Sequence, residues 1–357
     1  MKLLPIFLVI LSTLTILAAA SNENRKTKIG KHKKYCEAAL KLIHNGDCDQ
    51  TLRTLMNEHF VKRGIKIKKC NSKTNIHKDF THNARENKKP KLSHLPKDCG
   101  EIDSDRIFGG EYANLYENPW MALLSSKRDN GEFYYCGGTI VNSKYILTAA
   151  HCVQENIQKV RVGEFRISTD ADCDVSEYTI CDSYKQDLDV DEIIPHEGYI
   201  PASTNGFPPV NDIALLRVKG TIDVTRNNVK PICLPKTEIL RDLTNITEEI
   251  GLVTGWGLTE TIQESDILRK VTVPIKPCKE EYRRYDKIIC AGDINKDSCS
   301  GDSGGPLLIQ KPYDGAMRYV QYGIVSHGAT TCGTESNGSV YTDVTKYMDW
   351  ILSKMRE

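Results

Sequence analysis

From Ile107 onward the chain is built of short Val, Ile, Leu and Tyr runs set between turns rich in Gly, Asn, Asp and Pro. The clearest are Gly138 to Val141, Lys159 to Val162, Ile213 to Val218, Gly251 to Gly255, Val271 to Ile275, Tyr319 to Ser326 and Ser339 to Val344. Short β-prone runs repeated at this spacing predict an all-β sandwich or barrel. One clear helix is expected, over Asp343 to Lys354, with Val344, Tyr347, Met348 and Ile351 on a single face.

The residues before this region have a different texture. Lys2, an apolar stretch from Leu3 to Leu17 and the small residues Ala18-Ala19-Ala20 read as a cleaved secretory signal over 1–20. The stretch is short for a span of ~20 residues and contains Pro5, which argues against a membrane anchor. No later segment reads as a membrane span, and the Ser353 to Glu357 end is unlike a lipid-anchor tail. Residues 21–35 are basic and polar, the composition of a disordered segment. Over 36–70, Cys36, Cys48 and Cys70 bracket Leu52, Leu55, Met56 and Phe60 at helical spacing, with Asp49 placed to cap. That pattern reads as a small cysteine-stapled module. Residues 71–98 have the Lys-, Asn- and His-rich composition of a linker, in which His77, His82 and His94 read as solvated side chains. A secreted route fits the 13 cysteines, which an oxidising compartment turns into disulfides. Asn245-Ile246-Thr247 and Asn337-Gly338-Ser339 are glycan acceptor sites on that route.

The overall charge of +1 hides a division. Residues 21–98 carry 20 Lys+Arg against 8 Asp+Glu, and residues 99–357 carry 27 against 39. The near-neutral sum therefore does not exclude a polyanion-binding arm.

Three segments carry chemistry: Leu147-Thr148-Ala149-Ala150-His151-Cys152, Asn211-Asp212-Ile213-Ala214-Leu215-Leu216, and Asp297-Ser298-Cys299-Ser300-Gly301-Asp302-Ser303-Gly304-Gly305-Pro306. A serine hydroxyl is a poor nucleophile until a base takes its proton, and histidine has the pKa for that task near neutrality. A carboxylate is needed to orient the imidazole and stabilise its protonated form. Glycines beside the serine let backbone N–H groups approach a developing oxyanion. In this order the three motifs resemble those of the chymotrypsin-fold (trypsin-like) serine proteases, over residues 107–357.

That resemblance implies a double six-stranded antiparallel β-barrel with a C-terminal helix. It implies His151 as base, Asp212 as orienting acid, Ser303 as nucleophile, and the amides of Gly301 and Ser303 as oxyanion hole. Arg106-Ile107-Phe108-Gly109-Gly110 resembles the family's zymogen activation site. Cleavage there frees the Ile107 amine to pair with Asp302, and divides a +10 light chain (21–106) from a −10 heavy chain (107–357). The family pattern pairs Cys136–Cys152, Cys278–Cys290 and Cys299–Cys332, with Cys99–Cys233 tethering the light chain across a 99–106 tether and activation segment. A further Cys173–Cys181 bridge, closing an acidic insertion, makes the chain similar to arthropod clip-domain proteases. The upstream module has three cysteines where a clip domain has six, so it is clip-like and degenerate, with Cys48–Cys70 the preferred surviving pair.

In trypsin-like members Asp297 forms the pocket floor, which implies cleavage after Arg or Lys. Ser298, Ser326, His327, Gly328 and Ser339 fall on pocket and substrate-strand positions. Two depart from the family: His327 stands for Trp, and Ser339 for a pocket-lining Gly. Either change weakens the site, which keeps open a catalytically weak or inactive homologue acting as a binding or cofactor protein. Glu164, Thr169 and Asp172 resemble a structural calcium loop, with Arg166 where an acidic or amide residue is common; no cofactor is required for catalysis. The implied setting is an extracellular innate-immune, melanisation or venom cascade. Its partners would be other zymogens, an Arg-cleaving activator, serpin-type inhibitors, and polyanions for the basic arm.

Overall fold

All seven apolar runs lie on strands, to within one residue at either end. The computed structural model describes residues 92–102, 113–128, 131–154, 157–173, 181–203, 207–259, 263–294, 296–328, 333 and 338–356. The signal, the clip-like module with Cys36, Cys48 and Cys70, the Arg106–Ile107 bond, Cys332 and Asn337 lie outside them.

The first barrel opens with β1 (Met121–Arg128), β2 (Gly131–Ile140), β3 (Tyr145–Thr148) and β4 (Lys159–Val162). A two-stranded ribbon of β5 (Asp172–Cys173) and β6 (Cys181–Asp182) follows, and β7 (Gln186–Pro195) and β8 (Ala214–Val218) complete the barrel. The second barrel consists of β9 (Ile250–Gly255), β10 (Arg269–Lys276), β11 (Ile288–Ala291), β12 (Pro306–Tyr313), β13 (Ala316–His327) and β14 (Ser339–Asp343). The strand orders are β1-β2-β3-β8-β7-β4 and β10-β11-β14-β13-β12-β9, both closed and antiparallel. Closure removes the unpaired edges that make open sheets prone to aggregation.

Sequence pattern explains which strands face what. In β7, Asp187, Asp189 and Asp191 face solvent while Leu188 and Val190 turn toward the barrel, whereas the four residues of β3 (Tyr-Ile-Leu-Thr) are all buried. Two apolar clusters form the core. One gathers Trp120, Leu124, Ile146 and Leu215 of the first barrel and continues through Leu308 and Ile324 of the second, and the other gathers Val273, Ile289, Leu307 and Tyr341 within the second barrel. Polar contacts also join the barrels: the buried Thr139 hydroxyl donates to Gln321 Oε1 at 2.6 Å.

The expected helix is shorter than its apolar periodicity suggested. Val344–Lys346 forms a 3₁₀ turn, and α-helix occupies Met348–Lys354. The break comes at Tyr347, with φ −114° and ψ 3°. Asp343 caps the 3₁₀ turn by accepting from the Thr345 amide and hydroxyl, and the Tyr347 hydroxyl donates to Asn211 Oδ1. The side chains still share one buried face, so the sequence periodicity reported packing correctly and helix length incorrectly. A four-residue helix at Glu238–Arg241, capped by Thr237, had no such signal.

Candidate active site

The site is assembled from residues just beyond the ends of three strands. His151 follows β3 after the buried Ala149 and Ala150, and opens a 3₁₀ turn over His151–Gln154. Asp212 precedes β8, and Ser303 lies in the loop that enters β12.

Asp212 is 1% exposed. Its Oδ1 accepts the backbone N–H of His151 at 2.8 Å, and its Oδ2 lies 2.8 Å from His151 Nδ1. Oδ2 also accepts the Ser326 hydroxyl at 2.6 Å, while the Thr342 hydroxyl donates to the Asp212 carbonyl at 2.7 Å. The carboxylate is thus fixed by donors from both barrels. This arrangement selects the tautomer with the proton on Nδ1 and leaves the Nε2 lone pair to act as a base. Asn211 supports the geometry from the preceding position. Its φ of 52° turns the chain into β8. Its side chain donates to Gly198 O and accepts from the Tyr347 hydroxyl and Lys287 Nζ. Asn tolerates that left-handed backbone better than most residues.

The Ser303 loop is pinned to both barrels. The Ser303 carbonyl accepts the Gly137 N–H at 2.8 Å, and the Gly304 N–H donates to Val325 O. Gly304 has φ 78°, and a Cβ there would lie 2.2 Å from Thr148 Oγ1 and 3.2 Å from Cys152 Sγ. That sulfur lies 3.6 Å from His151 Nε2, which puts the serine loop beside the imidazole. Among the described residues no hydrogen bond yet joins His151 to Ser303; such bonds commonly tighten only when substrate is bound. Gly301 has φ 97°. Among the described residues neither its amide nor that of Ser303 donates to a protein acceptor, so both remain available to an oxyanion.

Asp302 points the other way, into a niche lined by glycines. Its Oδ1 accepts the Gly257 N–H at 2.9 Å and its Oδ2 the Cys299 N–H at 2.8 Å. A Cβ on Gly255 would fall 2.1 Å from Oδ1. Burial pushes the carboxyl up to about 6, against the pull of those two amides.

Asp297 is raised by burial too, a shift opposed first by the Ser339 hydroxyl. Its Oδ1 accepts the Ser298 N–H at 2.9 Å, while its buried Oδ2 has no hydrogen-bond partner among the described residues. Ser339 is 1% exposed. Its Oγ would lie 2.6 Å from a Cβ placed on Gly328, so it spans the space between β14 and the end of β13. A register shift between Val325 and His327 lets Ser326 face Asp212 and leaves Ser326 and His327 half-buried, with Gly328 exposed.

Disulfides Cys99–Cys233, Cys136–Cys152, Cys173–Cys181 and Cys278–Cys290 are formed. Cys299 is disulfide-bonded as well, and its expected partner Cys332 lies outside the described residues. Asn245 precedes the 3₁₀ turn Ile246–Glu248 and is exposed. The Ser326 and Thr342 contacts with Asp212, and the role of Asn211, were not foreseen. Each joins residues more than a hundred positions apart or depends on one backbone angle, and neither leaves a local signature in sequence.

The Trypsin family matches residues 107–351. "CLIP domain-containing serine protease HP8" of Bombyx mori is 42% identical over 277 residues, 73% of this chain and 72% of that one. "Phenoloxidase-activating factor 3" of Holotrichia diomphalia is 40% identical over 274 residues, covering 72% and 75% of the two chains. The solved structure of the Drosophila Grass clip serine protease of the Toll pathway matches with TM-score 0.63 at 37% identity, over 72% of this chain and 75% of that one. The chain belongs to the trypsin family of serine proteases. Its relatives within that family are clip-domain proteases.

Proposed function

We propose that the chain is a secreted zymogen which, once cut between Arg106 and Ile107, hydrolyses peptide bonds after basic residues. The observation that carries this reading is the buried Asp212 carboxylate held 2.8 Å from His151 Nδ1, beside the Ser303 loop. Ser303 Oγ attacks the scissile carbonyl and His151 Nε2 takes its proton. The N–H groups of Gly301 and Ser303 hold the oxyanion. His151 then returns the proton to the leaving amine, and water hydrolyses the acyl-enzyme by the same steps. Asp212 orients the ring and stabilises the imidazolium. Asp297 selects a cationic side chain, and Ser339 narrows the approach to it, which favours the slimmer Lys over Arg. Names such as phenoloxidase-activating factor among the relatives support a place in an extracellular cascade, acting on other zymogens and itself activated by an Arg-cleaving protease.

The test is to cut the purified chain at Arg106, apply a fluorophosphonate probe, and assay Lys and Arg esters. Labelling of Ser303 with ester turnover is expected after the cut and not before it. A cut chain that takes up no label would instead make this a non-catalytic homologue.

A further inference from the structure

The loop between β4 and β5 gathers four oxygen groups around one point. They are the Glu164 and Asp172 carboxylates and the carbonyls of Arg166 and Thr169. Carboxylates and carbonyls converging in this way are the donor set of a hard divalent cation. Here the point is filled from within the chain. Lys185 Nζ lies 2.9 Å from Glu164 Oε1 and 3.6 Å from Asp172 Oδ1. It donates to Arg166 O at 3.5 Å and to the Thr169 carbonyl. The two carboxylates are 1% and 2% exposed and the lysine 14%, so the ammonium sits inside the loop.

Three further features disfavour a metal. Arg161 Nη1 lies 3.2 Å from Glu164 Oε2, so two cationic side chains already face two carboxylates. Most of the remaining lone pairs are in use. Glu164 Oε1 and Asp172 Oδ2 both accept from the Phe165 amide at 3.0 Å, and Asp172 Oδ1 accepts the Thr169 hydroxyl at 2.8 Å. The backbone that delivers the lysine is also fixed. Asn228 Nδ2 donates to Tyr184 O at 2.6 Å and to Gly163 O at 3.2 Å. The next residue, Gln186, pairs with Val162.

We propose that Lys185 is the resident cation of this loop. The catalytic domain then keeps its shape without calcium, and removing the ammonium uncovers a divalent-cation site. The expected ligands Glu164, Thr169 and Asp172 do converge, but toward an ammonium. Lysine suits the place because its four-carbon stem lies along protein while the head carries the charge. This inference stands whether or not Ser303 is catalytic.

The test uses the full-length chain, wild type and Lys185→Met, in EGTA and in CaCl2. Wild-type Tm should agree between the two buffers to within about 1 °C, and equilibrium dialysis should find no bound calcium. Lys185→Met leaves two buried carboxylates without their ammonium, so its Tm should fall in EGTA. Saturating CaCl2 should restore several degrees, on the order of 5 °C when the ion is ~100-fold above its Kd. Acylation of wild-type lysines, read by mass spectrometry, should leave Lys185 protected to the same extent in both buffers. Stoichiometric calcium uptake by the wild type, or exposure of Lys185 to acylation on adding calcium, would overturn the proposal. So would a folded Lys185→Met protein that ignores calcium. Should that variant not fold, dialysis and acylation of the wild type decide the matter alone.

Discussion

Two carboxylate nests, one in each barrel, differ in where their positive charge comes from. In the first, Glu164 and Asp172 enclose Lys185 Nζ, an ammonium supplied by the segment between β6 and β7 of the same barrel. In the second, Asp302 accepts from the amides of Gly257 and Cys299, and burial pushes its carboxyl up to about 6. Gly255 and Gly257 approach the Asp302 carboxylate so closely that a Cβ on either would collide with it, and among the described residues no cation bonds to it, the Arg269 charge acting only from a distance. One nest is complete on folding. The other would be completed by the new amine that the proposed cut releases. On that proposal, one fold is stable before activation and still depends on a single peptide bond for activity.

The most severe way to break the comparison is to neutralise the second nest. Asp302→Asn in the cut enzyme should lower kcat/KM by a factor on the order of 10²–10³, the effect of losing an aligned oxyanion donor. Ester hydrolysis measures it, and full retained activity would mean that the niche has no part in assembling the site.

The pH dependence of Tm should separate the nests next. A carboxyl whose folded pKa lies above its unfolded value favours the folded state while protonated. That contribution is present at low pH and is lost as pH rises through the folded pKa. For Asp302, a rise from 3.8 to about 6 corresponds to up to about 3 kcal/mol lost from the uncut chain above pH 6. Cleavage at Arg106 should therefore raise Tm more at pH 8 than at pH 5. Glu164 of the first nest and Asp343 are also pushed up by burial, to about 7 and about 6, but both are present in both forms and cancel in the difference.

A smaller effect is expected in the pocket. Ser339→Gly should raise kcat/KM for Arg substrates relative to Lys by on the order of 10-fold, the discrimination typical of one small group in a pocket. An unchanged ratio would show that the hydroxyl does not restrict the approach to Asp297. The smallest effect should come from an ammonium–carboxylate pair in the open. Lys354 meets Glu197 at the surface, and Lys354→Ala should cost at most about 1 kcal/mol. If thermal denaturation found this loss as large as that of Lys185→Met, enclosure would not be what distinguishes the first nest.

Much of this was legible in sequence because it is local. The Lys159 to Val162 run coincides with β4, and the three motifs place His151, Asp212 and Ser303 at strand ends. Barrel closure was not written in any run, since pairings such as β1 with β4 or β9 with β12 need long-range register. The Asp343 to Lys354 helix was overextended because its apolar face continues through a 3₁₀ turn that capping by Asp343 imposes. Lys185 leaves no local signature, because the recognisable pattern is a set of oxygen ligands and the cation itself lies in sequence beyond the Cys173–Cys181 ribbon.

The Cys99–Cys233 bridge is more than a covalent link. The residue beside it, Gly100, donates its N–H to Pro231 O and accepts that of Tyr319, so the tether is stitched into the second barrel by backbone bonds as well. If residues 21–98 bind a partner, the disulfide carries the proteolytic domain along with it. A ligand fixed to a surface would thereby present nearby targets to Ser303 at an effective concentration set by the linker rather than by the bulk solution.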